Sequence, residues 1–293
     1  MPINLTTHVK ARILALGLIL LMSLLASCTR PACPTTPHQK AKDVLIHLRK
    51  QREPVHSLRA EARIERFERG KRVKLTVWML VARPSDMRLD VMTQLGPIAT
   101  LTTTKSTFTL SDTRKQQVYL GAPCPSNIAR LLGISMPSKD VIRLFLGDTP
   151  LLPATQTALQ CNANGNYQIT RTGTKGNQQI IEVRVLDSDI HEAPSKQRLT
   201  LVSSSMQDAN NRVLWRLDFD KVKRLPVPAA NAELWLPHRV HVQDYVNDTQ
   251  SIIRFQDIDL NPAMPDTAFQ QSPPASFEQR HLNCDEPYTT PAP

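Results

Sequence analysis

Few side chains in this sequence have both the type and the spacing that enzymes or metal centres use. His238 and His241 lie three residues apart in a predicted strand, so they should point to opposite faces and cannot share a metal ion. The serine run at 203–205 lacks the glycine turn that exposes a nucleophile, and no glycine-rich loop could cradle a phosphate. Asp218 and Asp220 share a strand face, but it is predicted to be the solvent face. The sequence therefore predicts a protein that is not an enzyme and has no metal ion or organic cofactor.

The cysteines are the side chains whose positions do indicate chemistry. Cys28 follows the small residues Ala26 and Ser27, an apolar stretch at 13–25 and a basic start without acidic residues. This arrangement resembles the bacterial lipobox, which implies a signal peptide at 1–27, cleavage before Cys28 and acyl chains attached to that cysteine. The alternative is an ordinary signal peptide in which Cys28 is incidental. In lipoproteins of this type Asp after the cysteine commonly retains the protein in the inner membrane, so Thr29 favours the outer membrane, facing the periplasm.

The remaining cysteines are Cys33, Cys124, Cys161 and Cys284. In an oxidising periplasm four cysteines allow three pairings. Cys124 and Cys161 flank an insert at 123–150 that we predict to be helical, so we expect these two to form a disulfide. Cys33 and Cys284 would then lie in the two tails, either paired or free.

The chain is basic, and the basic residues are concentrated near its start. The formal net charge is +10, and residues 30–74 contain thirteen Lys or Arg against five Asp or Glu. Beside a lipid anchor, such a surface would favour anionic head groups, although it could equally be a solvated face. Nucleic acid is not an expected partner for an exported lipoprotein.

Hydrophobic spacing predicts one helix followed by many strands. Residues 38–52 place Ala41, Val44, Leu45 and Leu48 on one face of an amphipathic helix. From Leu58 onward the period changes to two, and short alternating stretches joined by short turns predict an antiparallel meander of about eleven strands. In the second strand Val77 and Met79 would share one face, with Trp78 on the other, but a slip of one residue would exchange the faces, so the pattern leaves this facing open. A sheet this long should curl.

Two short apolar helices are predicted inside the insert. Their apolar residues recur at helical spacing, and in a β protein they must cover something apolar: Ile128, Leu131, Leu132, Val141, Ile142 and Phe145. The predicted fold class is therefore mainly β with an α lid, a curled antiparallel half-barrel covered by short helices. We assign residues 28–37 to a lipidated tether, 38–260 to the half-barrel domain and 261–293 to a Pro-rich, disordered tail.

One turn of the meander is apolar where a polar turn is expected. Gln94, Leu95, Gly96 and Pro97 separate two predicted strands, and Leu95 is at the tip. Pattern alone leaves open whether Leu95 is a buried corner or an exposed side chain.

The order of these features resembles that of the LolB-like outer-membrane lipoprotein receptors of the LolA/LolB fold family. The resemblance rests on the lipobox, the first helix, the Trp78 strand, the Leu95–Gly96 turn, and the stretch LLGISMP at 131–137 followed by SKDVIRLFLG. It covers roughly residues 38–260. One departure is that Gln94 stands where the family usually has Pro.

The resemblance implies a function in lipoprotein transport. The protein would receive acylated lipoproteins from a periplasmic LolA-like carrier and insert them into the outer membrane, with Leu95 and Gly96 forming the membrane-insertion loop and the helices forming the lid. Acyl chains would occupy an apolar cavity lined by Leu58, Ala60, Ile64, Leu75, Val77, Met79, Leu89, Val91, Leu101, Phe108 and Leu110. Two alternatives remain open: these residues could be plain core without a cavity, or the protein could be an anchored structural or envelope-assembly protein that transfers nothing.

Overall fold

The computed structural model describes residues 32–285, except for 69, 229 and 231. The predicted signal peptide, Cys28 and Thr29 lie outside these residues, as do the last eight residues of the predicted tail. No helix in the described part of the chain is long and apolar enough to cross a membrane.

The described residues form one large sheet. Its strands are β1 Ser57–Glu68, β2 Lys71–Ala82, β3 Asp86–Thr93, β4 Gly96–Thr103, β5 Phe108–Asp112, β6 Gln117–Gly121, β7 Gln156–Cys161, β8 Tyr167–Thr172, β9 Gln178–Val185, β10 Leu199–Gln207, β11 Val213–Val227, β12 Ala232–Asp244, β13 Thr249–Leu260 and β14 Glu278–Leu282. In space they are ordered β14-β6-β5-β4-β3-β2-β1-β13-β12-β11-β10-β9-β8-β7. The sheet does not close, because β14 and β7 are its two edges.

The predicted fold class is confirmed, but the strand count is higher than predicted. The described chain has 14 strands rather than about eleven. Two strands without apolar alternation were not predicted: β7, whose side chains are mostly exposed, and β14, which carries four exposed residues. All neighbouring strands pair antiparallel except β14, which runs parallel to β6.

Three α-helices cover the inner face of the sheet. Helix α1, Ala41–Lys50, buries the four apolar residues that its spacing predicts. The insert forms α2, Pro125–Leu132, and α3, Ser138–Phe145. Two short 3-10 turns, Asp187–Asp189 and Pro194–Lys196, lie between β9 and β10.

Alternation along the strands separates an inner apolar face from an outer polar one. In β2, Val77, Met79 and Val81 are buried, whereas Trp78 between them is 55% exposed. The structure therefore settles the facing of this strand, which the sequence pattern left open, with Val77 and Met79 on the inner face. Side chains alternate along a strand, so the outward position of Trp78 fixes which residues of β2 face the helices and which face solvent.

The disulfide prediction is wrong. Cys33 pairs with Cys161 and Cys124 pairs with Cys284, with Cα–Cα separations of 6.1 Å and 6.0 Å. Cys124 follows β6 and Cys161 ends β7, and these two strands lie near opposite edges of the sheet. The expected bridge is therefore impossible, whereas β14 pairs beside β6 and brings Cys284 to Cys124.

The prediction of a disordered tail is wrong for residues 261–285. The side-chain amide of Gln271 donates to the carbonyl oxygens of Thr100 and Thr109, at 3.0 Å and 3.1 Å, and its Oε1 accepts from Ser111 Oγ at 2.8 Å. This segment therefore crosses the outer face of β4 and β5 before forming β14. Its prolines keep the segment before β14 out of helices and strands, but the segment still packs against the sheet.

Residues 32–37 of the predicted tether are also held to the domain. Besides the Cys33 disulfide, Thr35 N donates to Ile190 O at 3.0 Å, and Gln197 Nε2 donates to Thr36 O at 2.9 Å. The free part of the tether can include only the residues before Cys33.

Candidate functional site

The structure brings together the strand residues that were predicted to line an acyl-chain cavity. Leu58, Ala60 and Ile64 project from β1, and the others follow on β2 to β5; all are buried except Leu75, which is partly buried. The six predicted lid residues of α2 and α3 are buried as well and belong to the same apolar cluster. The sheet and the lid therefore share one core.

A small space lies between the sheet and α2. We call it the inner cleft; it is lined on its apolar side by Leu75, Val91, Ile98, Ala99, Leu110 and Leu131, and its cavity volume is about 40 Å³. Ligand pockets for drug-sized molecules are about 300–1,000 Å³. The lid is thus closed on the sheet, and an acyl chain could enter only if α2 moved.

Charged side chains surround the inner cleft. Arg66, Arg114 and Arg130 line it together with Asp112. The Asp112 carboxylate accepts hydrogen bonds from the backbone N–H groups of Arg114 and Lys115, both at 3.0 Å, so it is already engaged. The lining of the cleft therefore combines three arginines with its apolar side chains.

A polar latch holds the C-terminal end of α2 to the sheet. Arg66, which is 5% exposed, donates from Nη1 to the carbonyl oxygens of Arg130 and Leu131, at 3.2 Å and 3.3 Å, and from Nη2 to Glu68 at 2.8 Å. Ser251 Oγ donates to Leu132 O at 2.7 Å. The last carbonyls of a helix have no partner within it, so side chains on β1 and β13 satisfy them here.

Gly133 fits this latch for two reasons. Its φ of 65° is the left-handed conformation that ends many helices, and Thr249 Oγ1 donates to its carbonyl at 3.2 Å. A Cβ atom at this position would lie 2.4 Å from Arg66 Cδ. A larger residue would therefore push the arginine away from α2.

A second buried arginine holds the end of α3. Arg52 donates from Nε to Gly147 O and from Nη1 to Leu48 O, both at 2.9 Å, and so joins α1 to the turn after α3. Burial lowers the pKa of Arg52 to about 10. Phe145, the last residue of α3, adds an apolar contact at the same end, because its ring packs edge-on against Phe255 on β13 with the ring centroids 5.7 Å apart.

Leu95 lies in solvent at the tip of the β3–β4 hairpin. Its exposed fraction is 101%, the highest of the large apolar residues in the described chain. Thr93 holds the turn, because its Oγ1 donates to Gly96 O at 2.8 Å and accepts from Leu95 N at 3.3 Å, and Gly96 adopts a φ of 111°. Val91 and Ile98 of the same hairpin line the inner cleft, so Leu95 is at the tip of a hairpin whose base forms part of the cleft.

The histidines and aspartates first considered as metal ligands or catalytic residues do not form a shared site. His238 faces the core and contacts Leu236 O through Nδ1, whereas His241 faces outward and contacts Gln250. Asp218 pairs with Arg216 at 2.7 Å, and Asp220 pairs with Arg239. These groups are ordinary strand residues in ion pairs or backbone contacts.

Sequence reasoning missed the latch residues, although one signal was present. Arg66 continues the inward-facing series of β1 that includes Ala62 and Ile64, so a charge at this position had to be buried with a partner. Nothing in the pattern of Thr249 or Ser251 indicated that they reach a helix end.

Comparisons with known proteins concern the fold. No protein-family model matches the sequence. No curated protein matches it. Among solved structures, the chain is similar to a LolA superfamily protein from Nitrosomonas europaea, with a TM-score of 0.48, 11% identity, and 80% of this chain and 99% of that one covered. An outer membrane lipoprotein-sorting protein domain from Vibrio parahaemolyticus gives a TM-score of 0.46, 8% identity and coverage of 79% and 97%.

A DUF1329 family protein from Desulfovibrio piger gives a TM-score of 0.51 at 12% identity, with 80% of this chain and 98% of that one covered. At this identity the likeness is one of fold alone. The chain thus has the architecture of that protein, one large unclosed antiparallel sheet with short helices.

Proposed function

We propose that this protein is an outer-membrane lipoprotein, anchored through Cys28 and facing the periplasm, that receives acylated lipoproteins from a LolA-like carrier and inserts them into the membrane. Acyl chains of the cargo would enter between the inner face of the sheet and the lid formed by α2 and α3. Thr29, rather than Asp, after the lipidated cysteine is what favours the outer membrane.

One observation carries this proposal: a fully exposed leucine stands at the tip of a hairpin whose base forms part of an apolar cleft. Leu95 is an apolar side chain held fully in water at the tip of a hydrogen-bonded hairpin. Insertion into a bilayer would remove it from water. Because the same hairpin lines the inner cleft, a chain leaving the cleft would emerge along the hairpin that carries the inserted leucine.

The lid has the properties that a carrier needs. An acyl chain requires a dry cavity without polar partners, since each buried CH₂ contributes about 0.8 kcal/mol. The inner face supplies apolar side chains, and α2 is held by hydrogen bonds from Arg66 and Ser251 at its C-terminal end and by the burial of Ile128, Leu131 and Leu132. Breaking the hydrogen bonds costs about 1 kcal/mol each and exposing each of these side chains about 2 kcal/mol, so an entering acyl chain must replace the lost apolar contacts with its own methylenes, at about 0.8 kcal/mol each.

A second candidate function is an anchored scaffold that transfers nothing. The observation in its favour is the closed inner cleft, whose volume of about 40 Å³ is too small for an acyl chain. In that case the apolar inner face would be core only.

Depletion of the protein in its host separates the two functions. If the protein inserts lipoproteins, triacylated lipoproteins should accumulate on the periplasmic carrier as it is depleted. Normal sorting of outer-membrane lipoproteins after deletion would contradict insertion and favour the scaffold. Purified full chain in vesicles, supplied with carrier loaded with a lipoprotein, provides the direct assay of transfer.

A further inference from the structure

Six hairpin turns of the described chain lie along one end of the sheet, and four of them form a row that does not include the β10–β11 and β8–β9 turns. Antiparallel pairing places the turns β5–β6, β3–β4, β1–β2 and β12–β13 at the same end, and these hairpins are consecutive in the strand order. We call this row of turns the rim. Since strands are about 4.8 Å apart, neighbouring turns are spaced by about 10 Å.

Basic and apolar turns alternate along the rim. The order is basic, apolar, basic, apolar, and every side chain in it is exposed: Arg114 and Lys115, then Leu95, then Lys71 and Arg72, then Tyr245 and Val246. Apolar and aromatic side chains interleaved with cations match the chemistry of a membrane surface, where aromatic rings and aliphatic groups enter the interface and Lys or Arg contacts anionic lipid.

The β12–β13 turn is a second apolar tip, independent of Leu95. Tyr245 is 52% exposed and Val246 is 67% exposed. The carboxylate of Asp244 accepts from the N–H groups of Val246 and Asn247, both at 3.1 Å, and so fixes a turn that projects these side chains outward. An apolar pair on a rigid turn is held in water rather than folded back onto the protein.

The second tip adjoins the basic β1–β2 hairpin. Phe67 and Gly70 of one hairpin and Tyr245 and Asp248 of the other line a single groove with a volume of about 260 Å³. Arg72 lies over the ring of Phe67, with its guanidinium carbon 5.4 Å from the ring centroid. The two turns therefore present one continuous surface.

Most acidic groups of the rim are engaged within the protein. Asp112 and Asp244 accept from the backbone of their own turns, and Glu68 pairs with Arg66. Among the residues of the four turns that the structure describes, Asp248 is the remaining exposed acidic residue. Arg72 in turn pairs with Glu65, and Lys115 Nζ lies 4.0 Å from Asp112, so the outward positive charge of the rim is carried mainly by Lys71 and Arg114.

Exposed apolar residues are concentrated at this end of the molecule. Five large apolar residues are exposed in the described chain, and Leu95, Tyr245 and Val246 are on the rim; Ile46 lies on α1 and Trp78 on the outer face of β2. At the opposite end, the β4–β5 turn carries Lys105 and Ser106 and no apolar tip.

We propose that the rim docks on a bilayer containing anionic lipid, with Tyr245 and Val246 as a second insertion point and the basic turns in contact with lipid head groups. The proposal goes beyond lipoprotein insertion, because it requires neither cargo nor movement of the lid. Two separated apolar tips would fix the orientation of the domain on the membrane, which a single leucine cannot do.

Hydrogen–deuterium exchange of the full chain tests the docking. The chain is placed in vesicles of phosphatidylethanolamine and phosphatidylglycerol, in phosphatidylcholine vesicles and in neutral detergent, without any cargo. Amides of residues 245–248 should exchange more slowly in the anionic vesicles, and Tyr245→Ser/Val246→Ser should remove that protection. The turn at 104–107 should exchange equally in all three conditions.

A pair of matched charge variants tests the electrostatic part. Lys71→Gln should reduce the protection at 245–248 by about fivefold, the effect expected of one basic residue near an anionic surface. Lys105→Gln, at the opposite end, should leave the protection unchanged.

Equal exchange at 245–248 in anionic vesicles and in detergent would overturn the proposal. Protection that rises with protein concentration but ignores lipid composition would also overturn it, because the rim would then bind a second copy of the chain. Since no cargo is present, failed lipoprotein transfer with intact rim protection would count against the proposed function alone.

Discussion

At the scale of single residues, two side chains occupy the environment opposite to the one their chemistry favours. Leu95 is apolar and fully in solvent, whereas Arg66 is charged and buried among apolar residues. A buried charge needs a partner, whereas a single exposed leucine is common and acquires meaning only from its position in the fold. For Leu95 that meaning is entry into a membrane, under the proposed function, and for Arg66 the partners are Glu68 and the unpaired carbonyls at the end of a helix.

Leu95→Glu should fold normally and lose lipoprotein insertion. Because the side chain contacts solvent, the free energy of unfolding should change by less than about 0.5 kcal/mol. A carboxylate at the tip would oppose entry into the bilayer. Thermal unfolding and the vesicle transfer assay measure the two effects, with Leu95→Ile as the matched control that should retain insertion. Unfolding of Leu95→Glu would mean that the leucine is part of the core after all.

Arg66→Met should loosen α2 while keeping the inner face filled. Two carbonyls at the end of α2 would lose their donor and Glu68 would lose its ion pair, which together should destabilise the fold by about 2 kcal/mol. Amide exchange in Pro125–Leu132 should accelerate more than exchange in β8 or β9.

Arg63→Met is the matched control for this latch. Arg63 lies on the same strand but on its exposed outer face, so its loss should change stability by less than about 0.5 kcal/mol and leave exchange in α2 unaltered. Equal effects of the two substitutions would show that the buried guanidinium does not hold the lid.

At the scale of elements, a helix or strand could be predicted from the sequence where it buries one face, because its hydrophobic residues then recur with a regular period. The apolar faces of α1, α2 and α3 were readable, because each helix buries one face, whereas apolar residues on both faces around Trp78 left the facing of β2 open. Strands β7 and β14 were not readable, since edge strands with exposed side chains have no alternation to detect. Of the site, Leu95 and the inner-face residues could be predicted. The hydrogen bonds from Thr249 and Ser251 to the end of α2 could not, because they depend on β13 lying beside a helix that is distant in sequence.

The disulfides were beyond prediction for a related reason. Pairing depends on which strands lie beside each other, and β14 joins β6 after a long irregular segment that has no periodic pattern. Once the strand order is known, Cys284 is close to Cys124 and Cys161 is far from it.

Cys124→Ser/Cys284→Ser should release the β14 edge. The disulfide joins the residue before α2 to the segment after β14, so its loss removes the covalent restraint on a strand whose side chains are exposed. We expect a loss of about 2–4 kcal/mol in unfolding free energy. Amide exchange in Glu278–Leu282 should become fast.

Cys33→Ser/Cys161→Ser is the comparison, because its disulfide lies at the opposite edge of the sheet. It should destabilise the protein by a similar amount but leave exchange in β14 slow. If β14 exchanges slowly in both double variants, then its pairing with β6 is stable without the covalent link.

At the scale of the whole molecule, the lid packs directly on the sheet, so under the proposed function an acyl chain enters only when the lid moves. The inner cleft holds about 40 Å³, while Arg66 and Ser251 keep α2 against the strands. A carrier with this structure cannot bind an acyl chain as a rigid body. Occupied and empty proteins must therefore differ in the position or stability of the lid.

Titration with a long-chain acylated peptide should consequently accelerate exchange at the lid while the sheet stays protected. The expected changes are faster exchange of the amides around 130–133, where the latch acts, and a negative heat-capacity change on binding, because apolar surface leaves water. Arg66→Met should bind the peptide more tightly, since the free energy needed to open the latch is already lost. A peptide without the acyl chain is the control and should change neither quantity. Tight binding of the acylated peptide with unchanged lid exchange would place the acyl chain outside the inner face, and the lid would then be structural.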